Sequence, residues 1–221
     1  MRAKHSILVG GVDEAGRGSV IGPLVVAGIA IRKSKISELR KMGVRDSKTL
    51  TPRARTKLFG EIVKIVDCIC VRKIEPDEVD GSVMLHGLNR LEAKVMARVI
   101  DAIGADEVYV DCCDVNTARY KLNIEQCLGS RPRKLHSLHH ADSLNFAVSA
   151  ASIIAKITRD QEIQEIRDKY GPEIGSGYPS DSTTMDFIRK WVASKGEAPV
   201  FARKSWKPLR QMLEQTAQCT L

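Results

Sequence analysis

The chain has 221 residues, of which 43% are apolar and 28% charged, a balance typical of packed proteins and unlike that of disordered ones. Its 35 basic and 27 acidic residues give a formal net charge of +8, which suits a polyanionic partner but does not identify one. The longest apolar run, Val20 to Ile31, contains a proline and two glycines and is too short to span a bilayer.

Cysteine usage and the first residues point to a reducing compartment. The six cysteines include no pair at C-x-x-C spacing, and the chain is long for a disulfide-stapled scaffold. Residues 1–6 run directly into a strand-like segment instead of the apolar stretch of a secretory leader. We therefore expect a cytoplasmic protein with neither a disulfide framework nor a zinc finger.

Apolar runs and helical spacing predict strands and helices in a definite order along the chain. Two strands, 7–12 and 24–31, flank a glycine-containing turn, and Thr51 followed by Pro52 predicts the start of a helix over 52–66. The elements predicted after these are strands at 68–74, 107–111 and 132–135, helices at 85–103, 116–128 and 142–169, and two helical segments after 171, separated by Gly196 and Pro199.

This order of elements predicts an α/β fold. Strands dominate the first third of the chain and helices the rest, with no repeat, low-complexity tract or flexible linker. The small side chains between Ala147 and Ala155 favour a helix that packs closely against a sheet.

Carboxylates stand at the boundaries of the predicted elements. Asp13 ends the first strand and is followed by Glu14, Asp111 ends a later strand, and Asp142 opens the long helix. Each has an ordinary structural interpretation as well: a turn at Asp13-Glu14, a polar strand end at Asp111, and a helix N-cap at Asp142 or at Asp114. Taken one at a time, none of these residues decides between a structural and a functional role.

As a set, these carboxylates suit a hard divalent cation. Mg²⁺ and Mn²⁺ prefer carboxylate and water ligands, and two such ions about 3.5–4 Å apart can activate a water and stabilise a leaving oxygen of a phosphodiester. Successive strand residues point to opposite faces, so Asp13 and Glu14 converge only if the backbone turns there, and Ala15-Gly16 could make that turn. Gly16 and Gly18 flank a basic residue with backbone that another molecule can approach closely. This combination is the chemistry of a nuclease.

An ordered series of motifs resembles ribonuclease HII, from about Gly11 to Trp206. The matching segments are Asp13-Glu14-Ala15-Gly16-Arg17-Gly18, Ile21-Gly22-Pro23, Asp46-Ser47-Lys48, Tyr109-Val110-Asp111, Ala141-Asp142, Ala150 to Lys156 and Gly175 to Asp181. The resemblance implies a ribonuclease H-like fold, with a mixed five-stranded sheet flanked by helices and a C-terminal helical segment. We expect a catalytic domain over residues 1–170, with the helical segment 171–221 packed on it.

The resemblance also implies roles for individual residues. Asp13, Glu14, Asp111 and Asp142 correspond to the four metal-binding and catalytic carboxylates, with Mg²⁺ or Mn²⁺ as cofactor. Gly16, Arg17 and Gly18 correspond to the loop that recognises a 2′-hydroxyl, Tyr178 to an aromatic that stacks on the next sugar, and Ser47 and Lys48 to a phosphate contact. The structural alternatives are a locally packed loop tyrosine at Tyr178 and an ordinary surface lysine at Lys48.

Two departures from the family pattern and two missing motifs bear on these expectations. Ser19 stands where proline is frequent, which would loosen the turn, and His140 stands where lysine is usual, so any help to phosphate binding there would depend on pH. The histidines 136, 139 and 140 lack a partner at zinc-finger spacing, which argues against a zinc site. Residues 215–221 lack the paired aromatics of a sliding-clamp-binding peptide, so no clamp partner is expected.

The function expected from the resemblance is an endoribonuclease. It would hydrolyse the RNA strand of RNA–DNA hybrids and cut 5′ of single ribonucleotides in duplex DNA by a two-metal mechanism, leaving 3′-hydroxyl and 5′-phosphate ends, and would act as a monomer. The alternatives are a DNA nuclease that ignores sugar identity, a ribonuclease HIII, and a non-catalytic basic module, in which four acids at a phosphate-binding edge would repel the ligand. Arg17 in place of lysine, and the short segment before Asp13, argue against the HIII type.

Overall fold

A mixed five-stranded sheet forms the centre of the fold, as expected. The computed structural model describes residues 6–45, 51–130, 132 and 134–219. The strands are β1 (Leu8–Ala15), β2 (Leu24–Arg32), β3 (Cys68–Ile74), β4 (Glu107–Asp111) and β5 (Lys134–Leu138), in the spatial order β3-β2-β1-β4-β5. β4 pairs in parallel with both β1 and β5, with Val12 opposite Val110 and Val110 opposite Ser137. The carboxyl ends of β1 and β4 therefore meet at one edge of the sheet.

The helices mostly follow the predicted pattern. They are α1 (Ile36–Lys41), α2 (Pro52–Ile65), α3 (Pro76–Met84), α4 (Leu88–Ile103), α5 (Thr117–Glu125), α6 (Ala141–Leu144), α7 (Phe146–Tyr170), α8 (Ser182–Lys195) and α9 (Lys207–Cys219). Thr51 caps α2 as expected, since its hydroxyl accepts the backbone N–H of Ala54 at 3.3 Å. α1 and α3 are not among the predicted elements. None of the described helices has the length and apolar character needed to cross a membrane.

The long helix predicted over 142–169 is divided in two. Asn145 has extended backbone, with φ −126° and ψ 124°, and it separates α6 from α7. Its side-chain oxygen accepts the backbone N–H groups of Ala147 at 2.9 Å and Val148 at 3.4 Å, so it caps α7. The interpretation of Asp142 as an N-cap is therefore wrong: His140, in the left-handed region, precedes α6, and Asp142 is the second residue of that short helix.

The backbone forms two compact units. The first contains Met1–Ala15, Val26–Arg72 and Asn89–Ile157, and the second contains Gly16–Val25, Lys73–Leu88 and Thr158–Leu221. A division at residue 170 has different bounds and stays a prediction. The strand β2 is buried along almost its whole length, as expected for a central strand whose two faces are both covered.

The core of the second unit is rich in aromatic residues. Tyr170, Phe187, Trp191 and Phe201 lie with neighbouring ring centroids 4.5–6.3 Å apart. They pack against the buried aliphatic cluster that includes Ile21, from the loop between β1 and β2. The core of this unit therefore packs against the loop between β1 and β2.

Close packing of α7 on β1 depends on a glycine. A Cβ at Gly11 would lie 2.1 Å from the backbone carbon of Ala147 and 2.3 Å from the amide nitrogen of Val148. No side-chain rotation relieves a clash with backbone atoms. Gly11 therefore sets the distance between the strand that carries Asp13 and α7.

We predict that Gly11→Ala destabilises the protein by about 1–3 kcal/mol or more, because helix and strand must separate. At about 2–4 °C per kcal/mol for a chain of this size, the loss is measurable as a lower Tm in thermal unfolding. Gly60→Ala is the matched control: a Cβ there meets nothing within 4 Å on α2, and we expect a gain of about 0.5–1 kcal/mol. An unchanged Tm for Gly11→Ala would contradict the packing argument.

Candidate active site

Two carboxylates meet where β1 and β4 end. In the pairing of β1 with β4, Asp13 and Asp111 directly follow the last paired residues, Val12 and Val110. Asp13 is only 4% exposed. Burial, and then the nearby charge of Asp111, raise the pKa of Asp13 from 3.8 to about 7. The sequence therefore correctly placed these two acids at a shared edge, and the structure shows that they interact.

Three groups partly offset the cost of ionising Asp13. The Ser152 hydroxyl, the backbone N–H of Glu14 and the Lys156 ammonium each lower the pKa of Asp13. The Glu14 N–H donates to Asp13 Oδ1 at 2.8 Å. Ser152 and Lys156 belong to the motif Ala150 to Lys156, for which the sequence predicted no role. Their spacing of four residues, which places both on one face of α7, is the signal that could have singled them out.

Asp142 is linked to this pair through its neighbour in sequence. The backbone N–H of Ala141 donates to Asp111 Oδ1 at 2.6 Å, which fixes the start of α6 at the end of β4. Ser143 Oγ donates to Asp142 Oδ1 at 3.3 Å, and Ser149 Oγ donates to the Asp142 carbonyl. Asp142, which is half-buried, is thus held next to a residue that touches Asp111.

Glu14 lies within β1, directly after Asp13. β1 continues to Ala15, so the turn expected at Ala15-Gly16 begins only after the strand, and the two carboxylates leave consecutive strand positions. The Glu14 charge acts on Cys113, and burial is the main cause that raises the pKa of that thiol. Cys113 Sγ donates to the buried carboxylate Glu92 Oε2 at 3.0 Å. Glu92 is therefore a second buried acid near this edge that the sequence did not reveal.

The carboxylate oxygens at this edge suit a divalent cation, although the described side chains do not form a complete coordination shell. In the described ranges, no three or more His, Cys, Asp or Glu side chains form a cluster that could hold a metal ion. The fit rests on Asp13: a buried carboxylate beside a second carboxylate is costly to ionise, and a hard cation compensates that cost. Oxygen donors of this kind are the ligands that Mg²⁺ and Mn²⁺ prefer.

A second group of predicted site residues lies in the second unit, beginning at Gly16. Gly16 has φ +86°, and a Cβ there would lie 2.6 Å from the Cδ and Nε atoms of Arg159. Arg159 is 4% exposed, lies 4.4 Å from the ring centroid of Tyr178 and donates from Nη2 to the Ser176 carbonyl at 3.1 Å. One buried guanidinium therefore contacts both the glycine loop and Tyr178.

A second buried arginine also holds this loop. Arg203, which is fully buried, donates from Nη1 to the Arg17 carbonyl at 2.9 Å, and from Nε and Nη2 to the Gly22 carbonyl at 3.2 and 3.0 Å. The sequence did not reveal either arginine, because nothing in the local pattern distinguishes a buried arginine from a surface one.

Ser19 tightens the loop instead of loosening it. Its hydroxyl donates to the Gly16 carbonyl at 2.8 Å, and its backbone N–H reaches the same oxygen at 3.2 Å. A proline at this position would lack both donors. The expectation of a looser turn at Ser19 was therefore wrong.

The Tyr178 segment is anchored to the same unit. The Gly177 carbonyl accepts the N–H groups of Val20 and Ile21 at 2.8 and 3.1 Å. Asp181 Oδ2 accepts the Ser176 N–H at 2.6 Å, and this bond is the main reason that the pKa of Asp181 falls to about 2. Tyr178 is half-buried between these anchors, so its ring orientation is well defined.

Two predicted contacts cannot be placed. Ser47 and Lys48 lie outside the described residues.

Of the three histidines, His136 stacks on Tyr109 with ring centroids 4.5 Å apart, and its Nε2 lies 3.2 Å from Glu107 Oε1.

Comparison with known proteins settles the family. The family model described as Ribonuclease HII matches residues 10–209. The chain belongs to this family. It is 48% identical over 204 residues to a ribonuclease HII of Cenarchaeum symbiosum, covering 92% of this chain and 97% of that protein. The ribonuclease HII resemblance is thereby confirmed, and the protein is a ribonuclease H enzyme, a hydrolase of phosphodiester bonds.

Solved structures agree with the fold. The crystal structure of ribonuclease H2 from Pyrococcus horikoshii matches with a TM-score of 0.90 and 40% identity, over 96% of this chain and all of that one. The structure of a PCNA:RNase HII complex from Archaeoglobus fulgidus matches with a TM-score of 0.83 and 39% identity, over 91% of this chain and 96% of that one. The ribonuclease H-like fold expected from the sequence is therefore confirmed.

The raised pKa of Asp13 predicts how stability depends on pH. Between pH 4 and 7 the folded protein holds a proton at Asp13 that the unfolded chain has released. The free energy of unfolding therefore has its full contribution from Asp13 below about pH 4, and this contribution is lost as the pH rises through about 7. Without metal, Asp13→Asn should therefore raise the Tm at pH 8, by about 2–4 °C for each kcal/mol recovered, and change it little at pH 4.

The control for this prediction is Asp186→Asn, which removes an exposed carboxylate. Thermal unfolding at pH 4 and pH 8, with and without added Mg²⁺, gives the readout. Mg²⁺ should raise the Tm of the unmodified protein more at pH 8 than at pH 4, because ligand and proton compete for Asp13. A lower Tm for Asp13→Asn than for the unmodified protein at pH 8 would contradict the electrostatic account.

Proposed function

We propose that this enzyme hydrolyses the RNA strand of RNA–DNA hybrids and cuts 5′ of single ribonucleotides embedded in duplex DNA, leaving 3′-hydroxyl and 5′-phosphate ends. The observation that carries the proposal is the buried Asp13 beside the half-buried Asp111 at the adjoining ends of two parallel strands, in a chain of the ribonuclease HII family. RNA–DNA hybrid and ribonucleotide-containing duplex are the substrates that this proposal assigns.

The four carboxylates are proposed as the metal ligands. Asp13, Asp111 and Asp142 would share the edge where β1, β4 and α6 meet, and Glu14 would contribute from the same end of β1. When bound, two Mg²⁺ or Mn²⁺ ions would lower the pKa of the attacking water and stabilise charge on the departing 3′-oxygen. Asp13 must lose its proton to act as a ligand, and Lys156 helps to keep it ionised.

Choice of the ribonucleotide is assigned to the loop Gly16-Arg17-Gly18. It begins directly after the strand that carries Asp13 and Glu14. Gly18 is exposed, and a Cβ added there meets nothing within 4 Å, so a ligand can approach its backbone. Backbone N–H and C=O groups suit a 2′-hydroxyl, which both donates and accepts, and which distinguishes RNA from DNA.

Tyr178 is proposed to stack on the sugar that follows the ribonucleotide. Arg159 supports one side of its ring, and the Ser176–Asp181 contact fixes its loop. A preset aromatic surface loses less conformational freedom on binding than a mobile one. Ser47 and Lys48 remain the proposed phosphate contacts on sequence grounds alone.

The partners beyond the substrate stay proposals too. The Archaeoglobus fulgidus relative was solved in a complex with PCNA. The predicted lack of a clamp-binding peptide concerns residues 215–221, most of whose side chains lie outside the described part of the chain. A cytoplasmic monomer remains the expected form.

We predict that Asp13→Asn abolishes cleavage, by roughly a thousandfold or more, while duplex binding persists. The amide keeps the shape of the side chain but cannot act as an anionic ligand. Single-turnover cleavage and electrophoretic binding of an RNA–DNA hybrid measure the two effects separately. Equal loss of binding and cleavage would count against a metal-ligand role, and unchanged turnover would exclude it.

Gly18→Ala separates ligand approach from folding. Because the added methyl group has no protein atom to clash with, we expect an unchanged Tm but cleavage at a single ribonucleotide reduced by about tenfold or more. The measurement is cleavage-site mapping on a DNA duplex with one ribonucleotide, beside an all-DNA duplex. Equal cutting of both duplexes by the unmodified enzyme would favour the sugar-blind DNA nuclease instead.

A further inference from the structure

An open groove of about 870 Å³ lies within the second unit. Its lining comes from four stretches of that unit: 22–23, 75–84, which includes α3, 162–170 on α7, and 200–204. We call it the acidic groove. Its size falls in the range of cavities that take a small ligand or the anchoring side chains of a peptide.

The floor of the acidic groove is apolar. Ile166, Tyr170 and Phe201 line it, and all three belong to the core of the unit. Met84 and Val200, at its edge, are 77% and 81% exposed. Large apolar side chains exposed beside a concave surface mark interaction sites, and methionine adapts its shape to different partners.

Acidic side chains surround this floor. The charged lining consists of five carboxylates and two ammonium groups: Glu75, Asp77, Asp80, Glu162 and Glu165, with Lys169 and Lys204. The groove is therefore negative in a chain whose net charge is +8. Such a surface repels phosphate backbones, so it does not suit the nucleic-acid substrate.

Some of these carboxylates form hydrogen bonds or ion pairs within the protein, and others remain exposed. Asp80 accepts the backbone N–H groups of Lys204 and Ser205 at 2.7 and 3.0 Å, and Glu162 pairs with Lys73 at 2.7 Å. Asp77 and Glu165 are exposed, and among the described residues neither has an ion-pair partner within 4 Å, although the charge of Glu165 acts on nearby Lys73. These two carboxylates are available to an incoming cation.

We propose that the acidic groove binds an amphipathic helical segment of a protein partner, with apolar side chains on one face and lysines or arginines along the other. The apolar face would cover Met84 and Val200, and the basic side chains would meet Asp77 and Glu165. Recognition of a helix by a groove uses this combination of apolar anchors and a charged rim. Charge complementarity with the rim sets the preference for a basic segment.

The test uses a fluorescent peptide of leucine and lysine at helical spacing, and a twin in which glutamate replaces lysine. Anisotropy titrations are run with the intact protein and excess Mg²⁺, so that the carboxylates of the candidate active site are occupied. We expect the lysine peptide to bind and the glutamate peptide to bind at least about tenfold more weakly.

Variants of the groove then locate the binding. Asp77→Lys combined with Glu165→Lys should weaken binding of the lysine peptide about tenfold, whereas Glu197→Lys combined with Glu214→Lys, which reverses two exposed acids elsewhere, should not. Met84→Ser combined with Val200→Ser should also weaken it. Val115→Ser is the control, because Val115 is 91% exposed but does not line the groove.

Methyl NMR of the methionines gives a readout that does not depend on affinity. The Met84 methyl signal should shift on adding the lysine peptide, and the signal of Met96, buried in the first unit, should not. Absence of binding, equal binding of the two peptides, or equal binding by the rim-reversed protein would overturn the proposal.

Sedimentation of the protein alone tests the competing occupant. A dimer that disappears in the Met84→Ser, Val200→Ser variant would assign the groove to a second copy of this chain and would also overturn the proposal. A monomer at all concentrations leaves the groove to the basic segment that the peptide represents.

Discussion

The closeness of two like charges where β1 and β4 end, Asp13 buried and Asp111 half-buried, is the constraint on which the rest of the structure depends. Asp13 carries a pKa near 7 because burial and Asp111 both oppose its ionisation. The fold maintains this unfavourable arrangement because the sheet register places Val12 beside Val110, so the next two side chains cannot separate. The surrounding core therefore offsets the free energy that the pair costs. A divalent cation would turn this electrostatic cost into binding free energy.

The loop that follows β1 poses the opposite problem, which is the burial of positive charge. Arg159 and Arg203 are almost fully buried, and burial lowers the pKa of Arg159. Arg203 is compensated by the carbonyls of Arg17 and Gly22, and Arg159 by the Ser176 carbonyl and the Tyr178 ring. Buried arginines that bond to backbone hold a loop in one conformation, since each fixed donor requires its acceptor in place. A preorganised loop of this kind suits recognition of a single hydroxyl group.

The charge distribution of the chain is uneven in a way that net charge conceals. A value of +8 agrees with a polyanionic substrate, yet the acidic groove carries more carboxylates than lysines. Electrostatic attraction to nucleic acid acts over about a Debye length, roughly 8–10 Å at physiological salt, so it does not require every surface to be positive. A local excess of acid beside exposed Met84 and Val200 indicates a contact with something other than nucleic acid.

The sequence by itself determined the family, the α/β class, the strands and most helices, and the two aspartates that share a sheet edge. These follow from local patterns: apolar runs, caps such as Thr51, and motifs at fixed spacing. It could not show that Asn145 ends α6 and caps α7, that β1 continues past Glu14 to Ala15, or that Arg159 and Arg203 hold the glycine loop. Those features join residues up to 186 positions apart, as in the contact of Arg203 with Arg17. Only the tertiary structure decides them, because burial and long-range partners, not residue type, set whether a charged side chain is a surface group or part of a site.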